Sequence, residues 1–435
     1  MTLSLPPDEL RALGHRVVDA LVEHWSDAGA GPPLRTGSRA ELEAALREDV
    51  PEEAGDPSAA VEVLLRDVLP FVQHADHPRF FARVPSPSNP VSALADALGA
   101  AFNAFAGSWA GGSGPAVVEL VVLDWIRALC GLPLGGDGIL LSGGSISSLT
   151  ALAASQRRRL IASDQTHASV LRAARILGMD VEVLESDGAF RLPAAAVEGV
   201  VGAEDCVVAT AGTTNTGAVD PLPELAALCR GAGAWLHVDG AYGAPAALTA
   251  RGRELLAGLE HFDSLALDPH KWLFQPYECG CLLVRDPEAL TRTFHMAPEY
   301  LRDVLGSDEV NFRDRGPQLT RGSRALKLWL SLKTFGAAAF RAGVERGMAL
   351  AERAEAKLRE AGFEVVTPAQ LAVVTFACPD PDGVAAAMVA EGYAAPSTTV
   401  LRGRTVLRMC TINPRTTDEE IDETVARLAA KAASR

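Results

Sequence analysis

Two short stretches of the 435-residue chain hold the residue types that covalent cofactor chemistry requires. In ALDPHKWLF, Lys271 follows an apolar run of strand length and precedes Trp272, Leu273 and Phe274. Apolar flanks around a lysine stem disfavour the ammonium form and leave an amine that attacks an aldehyde. In HVDGAYG, Asp239 ends a second apolar run, and the glycines around it let a flat ring approach the backbone. Taken singly, such a lysine is most often a surface residue and such an aspartate a turn or helix cap. Taken together they form the pair that a pyridoxal-phosphate (PLP) site needs. The lysine forms the Schiff base, and the carboxylate keeps the pyridine nitrogen protonated so that the ring draws electrons.

A third stretch, LLSGGSISSLTAL, turns from an apolar segment through glycines into a helical pattern. Backbone N–H groups at such a helix start, aided by Ser142 and Ser145, bind a phosphate without a nearby lysine. Glycine-serine turns are also ordinary caps, and this one has neither the GK[ST] ending of a nucleotide loop nor the GxGxxG of a dinucleotide site. His167, in SDQTHASV, adds an aromatic ring of the kind that stacks on a cofactor, although a single histidine is more often structural.

These residues need a frame that brings them together. From about residue 86 to 345, short apolar runs alternate with helical segments: GILLSGG, RLIASDQ, VEVLES, CVVATAGTT, AWLHVDGAY, SLALDPHKW and GCLLVRD. That alternation predicts an α/β domain with a mostly parallel sheet covered by helices on both faces. Such sheets bind ligands beyond the carboxyl ends of their strands. Ser142 to Ser145, His167, Thr213, Thr214, Asp239, Asp268, His270 and Lys271 all fall just after apolar runs, so the frame delivers them to one edge.

Residues 1–85 read as an N-terminal helical arm. Leu10, Leu13, Val17, Leu21 and Trp25 recur at helical spacing, and helical runs near 39–48 and 58–74 follow a Gly/Pro-rich stretch. An apolar stripe ahead of the domain core needs a surface to cover it. A long helical stretch near 323–361 leads into residues 346–435, where VVTFAC, TVLRMCTI and a last helix from Thr417 predict a small α+β domain.

Hydrophobic residues make up 48% of the chain, enough to bury a large core. A formal charge of -15 disfavours nucleic acid and anionic membranes as partners. No apolar run reaches the roughly eighteen residues of a membrane span, and MTLSLPPDELRALGHRVV lacks a cationic lead into an apolar core, so a cytoplasmic location is expected. The seven cysteines are scattered and odd in number, which fits neither a disulfide framework nor a zinc site, and no metal is expected.

With HVDGAYG and DPHKW in that order, SDQTHASV and AGTT before them, the chain resembles the group II PLP-dependent amino acid decarboxylases. This is the family of aromatic-L-amino-acid and glutamate decarboxylases. The likeness runs from HPRFFARV at 77 through RALKLW at 324–329. It implies fold type I, the aspartate aminotransferase-like architecture of PLP-dependent transferases, and a homodimer with exchanged arms and shared active sites. By the same resemblance, Lys271 is the Schiff-base lysine, Asp239 the partner of the pyridine nitrogen and His167 the stacking ring. Gly144, Ser145 and Asp268 fall where phosphate and nearby backbone are held, Thr213 and Ala241 line the ring, and His270 precedes the lysine. Tyr300, in APEYLRD, matches the loop tyrosine that protonates the carbon left by carbon dioxide, and Arg313, in NFRDRG, falls near that loop's far end. The chain departs from the pattern at Asp268, where many members have asparagine, and at Ile146, often glutamate. GPAVVELVV also lacks the usual threonine and second acid. A carboxylate close to a phosphate dianion needs a donor or a positive partner.

The expected reaction is decarboxylation of an aromatic or bulky L-amino acid to the amine and carbon dioxide. HPRFFARVPSPSNP resembles the segment lining the substrate pocket, with Arg83 and Val84 where aromatic decarboxylases tend to have aromatic side chains. Gly107, between Phe105 and Trp109, replaces a bulky residue. A widened wall admits an indole, whereas Arg83 suits an acidic substrate such as glutamate, aspartate or a sulfinate, and diaminobutyrate stays open. Three rival readings stand beside this one: a decarboxylating aldehyde synthase, another PLP reaction such as transamination or lyase chemistry, and a catalytically silent regulator. Tyr300 with His167 favours simple decarboxylation over the first two, and an intact Lys271, Asp239 and His167 set disfavours the third.

Overall fold

Every apolar run expected as a strand forms one. In chain order these are β1 (Asp137–Leu141), β2 (Arg159–Ser163), β3 (Asp180–Leu184), β4 (Asp205–Thr210), β5 (Trp235–Asp239), β6 (Ser264–Leu267) and β7 (Gly280–Val284). They build one sheet in the order β1-β7-β6-β5-β4-β2-β3. The structure, a computed structural model, describes residues 3–296 and 309–435. Strands β6, β5, β4, β2 and β3 pair in parallel, and β7 runs antiparallel between β6 and β1. The mostly parallel α/β domain read from the alternation is therefore present. Strands β1, β4, β6 and β7 are buried at every residue, as expected for a sheet covered on both faces, whereas edge strand β3 exposes Val181 and Val183.

A second sheet of four antiparallel strands forms the C-terminal part: β8 (Glu364–Gln370), β9 (Val373–Ala377), β10 (Ser397–Leu401) and β11 (Arg404–Cys410), in the order β10-β11-β9-β8. The runs VVTFAC and TVLRMCTI are its inner strands. The outer two carry weaker patterns, and Pro368 within β8 is tolerated because that strand lies at an edge. The helix Ala325–Glu360 ties the two sheets together. Leu328, Val344 and Met348 pack into the core of the large sheet, and Leu350, Ala354 and Leu358 into that of the small one. The boundary expected at residues 345–346 falls inside this helix.

The N-terminal helix Pro7–Ser26 buries none of its residues within the chain, and Leu10, Val17 and Val22 are exposed. The third helical run ends earlier than its apolar pattern: Pro57–Val63 is α-helical, Leu64–Val68 widens to a π turn, and Leu69–Phe71 tightens to a 3-10 turn containing Pro70. All seven cysteines are free and six are buried. Among the described residues, no helix is long and apolar enough to cross a membrane.

A fully buried ion pair between Glu119 and Arg321 fixes the segment after residue 309 to the large domain. Arg321 donates to Glu119 at 2.8 Å through both terminal nitrogens and to the Ala106 carbonyl, while Glu119 accepts the Leu140 N–H of β1. Both terminal nitrogens and both carboxylate oxygens are thus bonded, the condition for tolerating a buried pair, and only Arg321 Nε of the guanidinium lacks a partner.

Candidate active site

The carboxyl ends of β1, β2, β4, β5 and β6 open onto a cavity of about 370 Å³. Its wall takes Ser142 to Ser145 from the turn after β1 and His167 from the turn after β2. Gly212 and Thr214 come from beyond β4, Asp239 and Ala241 from β5, and Asp268, His270 and Lys271 from beyond β6. The sheet thus places them in the crevice where open α/β sheets bind ligands.

Lys271 lies on the short helix Pro269–Trp272. The apolar side chains that follow it point away: Trp272 and Leu273 are buried in the main core, and Trp272 stacks on Tyr242 at 5.3 Å between ring centroids. The expectation that they surround the lysine stem is therefore corrected. The ammonium instead meets Asp268, with Nζ 2.9 Å from Oδ2. Burial alone lowers the Lys271 pKa, but the Asp268 carboxylate outweighs it and the net shift is upward.

His270 is held between two contacts. The Cys279 N–H donates to its Nδ1 at 3.2 Å, so Nε2 bears the proton and faces Asp268 Oδ2 at 3.6 Å. Burial pulls its pKa below the ordinary imidazole value, against the raising effect of Asp268. Asp268 Oδ1 is buried without a hydrogen-bond partner. The positive partner that a carboxylate needs in this position is Lys271 itself.

At the far end of the cavity, Asp239 accepts the Ala241 N–H at 3.1 Å. Two residues earlier on β5, His237 is fully buried, bonded through Nδ1 to Ser264 at 2.9 Å, and burial pushes its pKa down to about 4 against the raising effect of Asp239. The helix Gly144–Ser155 begins without a side-chain cap, so its first N–H groups stand at the cavity wall. A Cβ at Gly144 would lie 3.0 Å from the Ala241 Cβ and 3.1 Å from Asp268 Oδ2. Only glycine lets the helix start approach this corner so closely.

His167 lines the cavity and is exposed, its Nδ1 bonded to Ser169 Oγ at 2.7 Å. Thr213 is buried behind the wall instead, its hydroxyl engaged by Thr216 at 2.7 Å and by the Ala218 N–H at 3.1 Å, and its neighbours Gly212 and Thr214 line the space. Tyr300 lies outside the described residues.

The substrate residues expected from the sequence fall in two groups, neither on the wall of this cavity. Phe105, Gly107, Trp109 and Arg313 cluster together: Phe105 pairs with Gly322, the Gly107 carbonyl accepts the Arg313 N–H at 2.8 Å, and the Trp109 N–H donates to Asn311 at 2.9 Å. Gly107 is not a widened wall. A Cβ there would lie 2.4 Å from the Phe105 ring and 2.7 Å from the Leu319 carbonyl. Val84 packs on the main core, and Arg83 reaches Gln73 near the cavity mouth. Ser169, Thr210, Tyr242, Tyr277 and Glu278 also line the wall and were not foreseen, although the last two, between Pro276 and the strand β7, sit one short loop from Lys271.

These residues fit PLP. An amine stands between a carboxylate suited to a pyridine nitrogen and a glycine-lined, uncapped helix start suited to a phosphate, with an imidazole on the wall.

The comparisons with known proteins agree. Residues 40–378 match the family described as pyridoxal-dependent decarboxylase conserved domain. The chain is 41% identical to an aromatic-L-amino-acid decarboxylase of Bacillus atrophaeus, over 99% of this chain and 97% of that protein. It is 36% identical to a tyrosine decarboxylase of Oryza sativa subsp. japonica, over 86% of this chain and 77% of that protein. The fold superposes on the crystal structure of Oryza sativa TDC with PLP and tryptamine with a TM-score of 0.93 and 26% identity, covering 100% of this chain and 99% of that one.

Proposed function

Because the chain belongs to the pyridoxal-dependent decarboxylase family and is a PLP-dependent amino acid decarboxylase, we propose that it converts an aromatic L-amino acid to the amine and carbon dioxide. The observation that carries the substrate class is the 41% identity, over nearly the full length of both chains, with a protein named aromatic-L-amino-acid decarboxylase.

Within the cavity, Lys271 would hold the cofactor, Asp239 would pair with its pyridine nitrogen, His167 would lie against its ring, and the N–H groups at Gly144 and Ser145 would take the phosphate. Ala241 flanks the ring, and Asp268 with His270 sets the charge around Lys271. PLP supplies the electron-accepting ring that takes up the charge released as the carboxylate leaves. The protein supplies orientation, a largely buried site and a proton donor, a role we assign to Tyr300.

The active unit in this reading is a cytoplasmic homodimer. The exposed stripe of Leu10, Val17 and Val22 on the N-terminal helix supports it, since such a stripe is covered by packing on another surface. The cluster of Phe105, Gly107, Trp109 and Arg313 then completes the neighbouring subunit's pocket. The arm (1–85), the PLP-binding domain (86–345) and the small domain (346–435) are the working parts.

Incubation of the holoprotein with tyrosine, tryptophan and phenylalanine tests the proposal. Carbon dioxide and amine are expected in equal amounts. Peroxide with aldehyde would overturn the amine product, and turnover confined to acidic amino acids would overturn the substrate class.

A further inference from the structure

We propose that Tyr277 positions the α-carboxylate of the substrate through its phenol O–H, as the last donor of a relay that starts at Arg83. Tyr277 stands on the cavity wall with Lys271, its ring 5.1 Å from that of His270. Arg83 Nη1 donates to Gln73 Oε1 at 3.1 Å, and Gln73 Nε2 donates to the Tyr277 hydroxyl at 3.4 Å. A guanidinium has only donors, so the direction of the relay is fixed. The phenol oxygen accepts, and its own proton is left to be given away.

The Ser86 hydroxyl beside Tyr277 is not a spare donor for the phenol, since it donates to the carbonyls of His270 and Gln275. Rotation about the bond between the ring and its oxygen can aim the O–H into the cavity that Tyr277 lines. Arg83 is held for its part in the relay at a backbone φ of 55°, a left-handed conformation that side chains with a Cβ disfavour. Its N–H donates to Ser397 at 3.3 Å and its carbonyl accepts Arg408 at 2.6 Å, so the small domain maintains the strain. Such outliers concentrate where function needs them.

Charge places the carboxylate on this side. Asp239 is buried at the inner wall and disfavours a second anion beside it, while Glu278, next to Tyr277, is tied to Arg324 at 2.8 Å. The rim at Tyr277 offers a donor backed by a cation one residue removed. A neutral donor orients the carboxylate without neutralising it, which keeps the ground state from being over-stabilised before the bond to carbon dioxide breaks.

The inference rests on decarboxylation at this site but not on the aromatic side chain. Holoenzyme carrying Tyr277→Phe is compared with the wild type for the KM of L-tyrosine and the KI of tyramine, which differ only in the carboxylate. The KM is expected to rise about tenfold, the loss of one hydrogen bond to a charged group, while the KI and the cofactor absorbance stay unchanged. Gln73→Leu is expected to raise the KM by a smaller factor. An unchanged KM, or a KM and KI that rise together, would overturn the proposal. If only acidic amino acids are turned over, the aromatic reading falls, and glutamate with 4-aminobutyrate is expected to show the same split.

Discussion

Asp268 and Lys271 stand one helical turn apart beyond β6, with carboxylate oxygen and ammonium nitrogen 2.9 Å apart and the carboxylate almost wholly buried. The pair reverses what burial alone would do to the lysine, keeping it charged although it is partly withdrawn from water. The amine must lose that proton before it condenses with an aldehyde, so Asp268 sets the pH at which cofactor capture begins.

Asp268→Asn removes the partner and leaves burial unopposed. The pH midpoint for Schiff-base formation, followed by absorbance after adding PLP to stripped protein, is expected to move down. A midpoint that stays in place would show that the carboxylate does not govern the lysine.

Gly144→Ala puts a methyl group 3.0 Å from Ala241 and 3.1 Å from Asp268. The helix start must shift outward, and its N–H groups move with it. PLP affinity in equilibrium dialysis is expected to fall about tenfold, while thermal unfolding of the cofactor-free protein changes little. Unaltered affinity would remove the phosphate from this corner.

His237 gives the fold an acid limit. Its pKa is about 4 in the folded chain and near 6.5 when exposed, so between those values the unfolded state binds the extra proton. Stability is therefore fully present above about pH 6.5 and declines as pH falls toward 4, by up to about 3 kcal/mol. Urea unfolding midpoints measured across that range should show a flatter acid limb for His237→Gln. Parallel curves would assign the acid sensitivity elsewhere.

A shared active site predicts complementation. Lys271→Ala and Tyr300→Phe proteins are each expected to lose nearly all amine formation, and a refolded mixture to recover roughly a quarter of wild-type activity if the hybrid has one intact site of two. Absence of recovery would make each subunit self-contained.

The candidate cofactor site was legible because it is local. Lys271, Asp239 and Ser145 each follow an apolar run by a few residues, and a buried parallel strand delivers whatever comes next to the same crevice. The strands β8 and β10 were missed because edge strands carry too little apolar alternation to stand out. Thr213 was placed on the wall because the turn AGTT arrives there, yet which of its residues faces inward depends on the hydrogen bonds that close the turn.

The amino-acid order alone determined the sheet, the cofactor class and which residues reach the crevice, since short-range pattern fixes strand ends and strand ends fix the crevice. The three-dimensional fold decided which side chain stands beside which. It paired Lys271 with Asp268 while turning Trp272 into the core, and it moved Gly107 from a pocket wall to a tight contact with Phe105. It also joined Gln73 to Tyr277 across 204 positions of chain. Contacts between distant segments follow from how whole elements pack, and no local spacing encodes them.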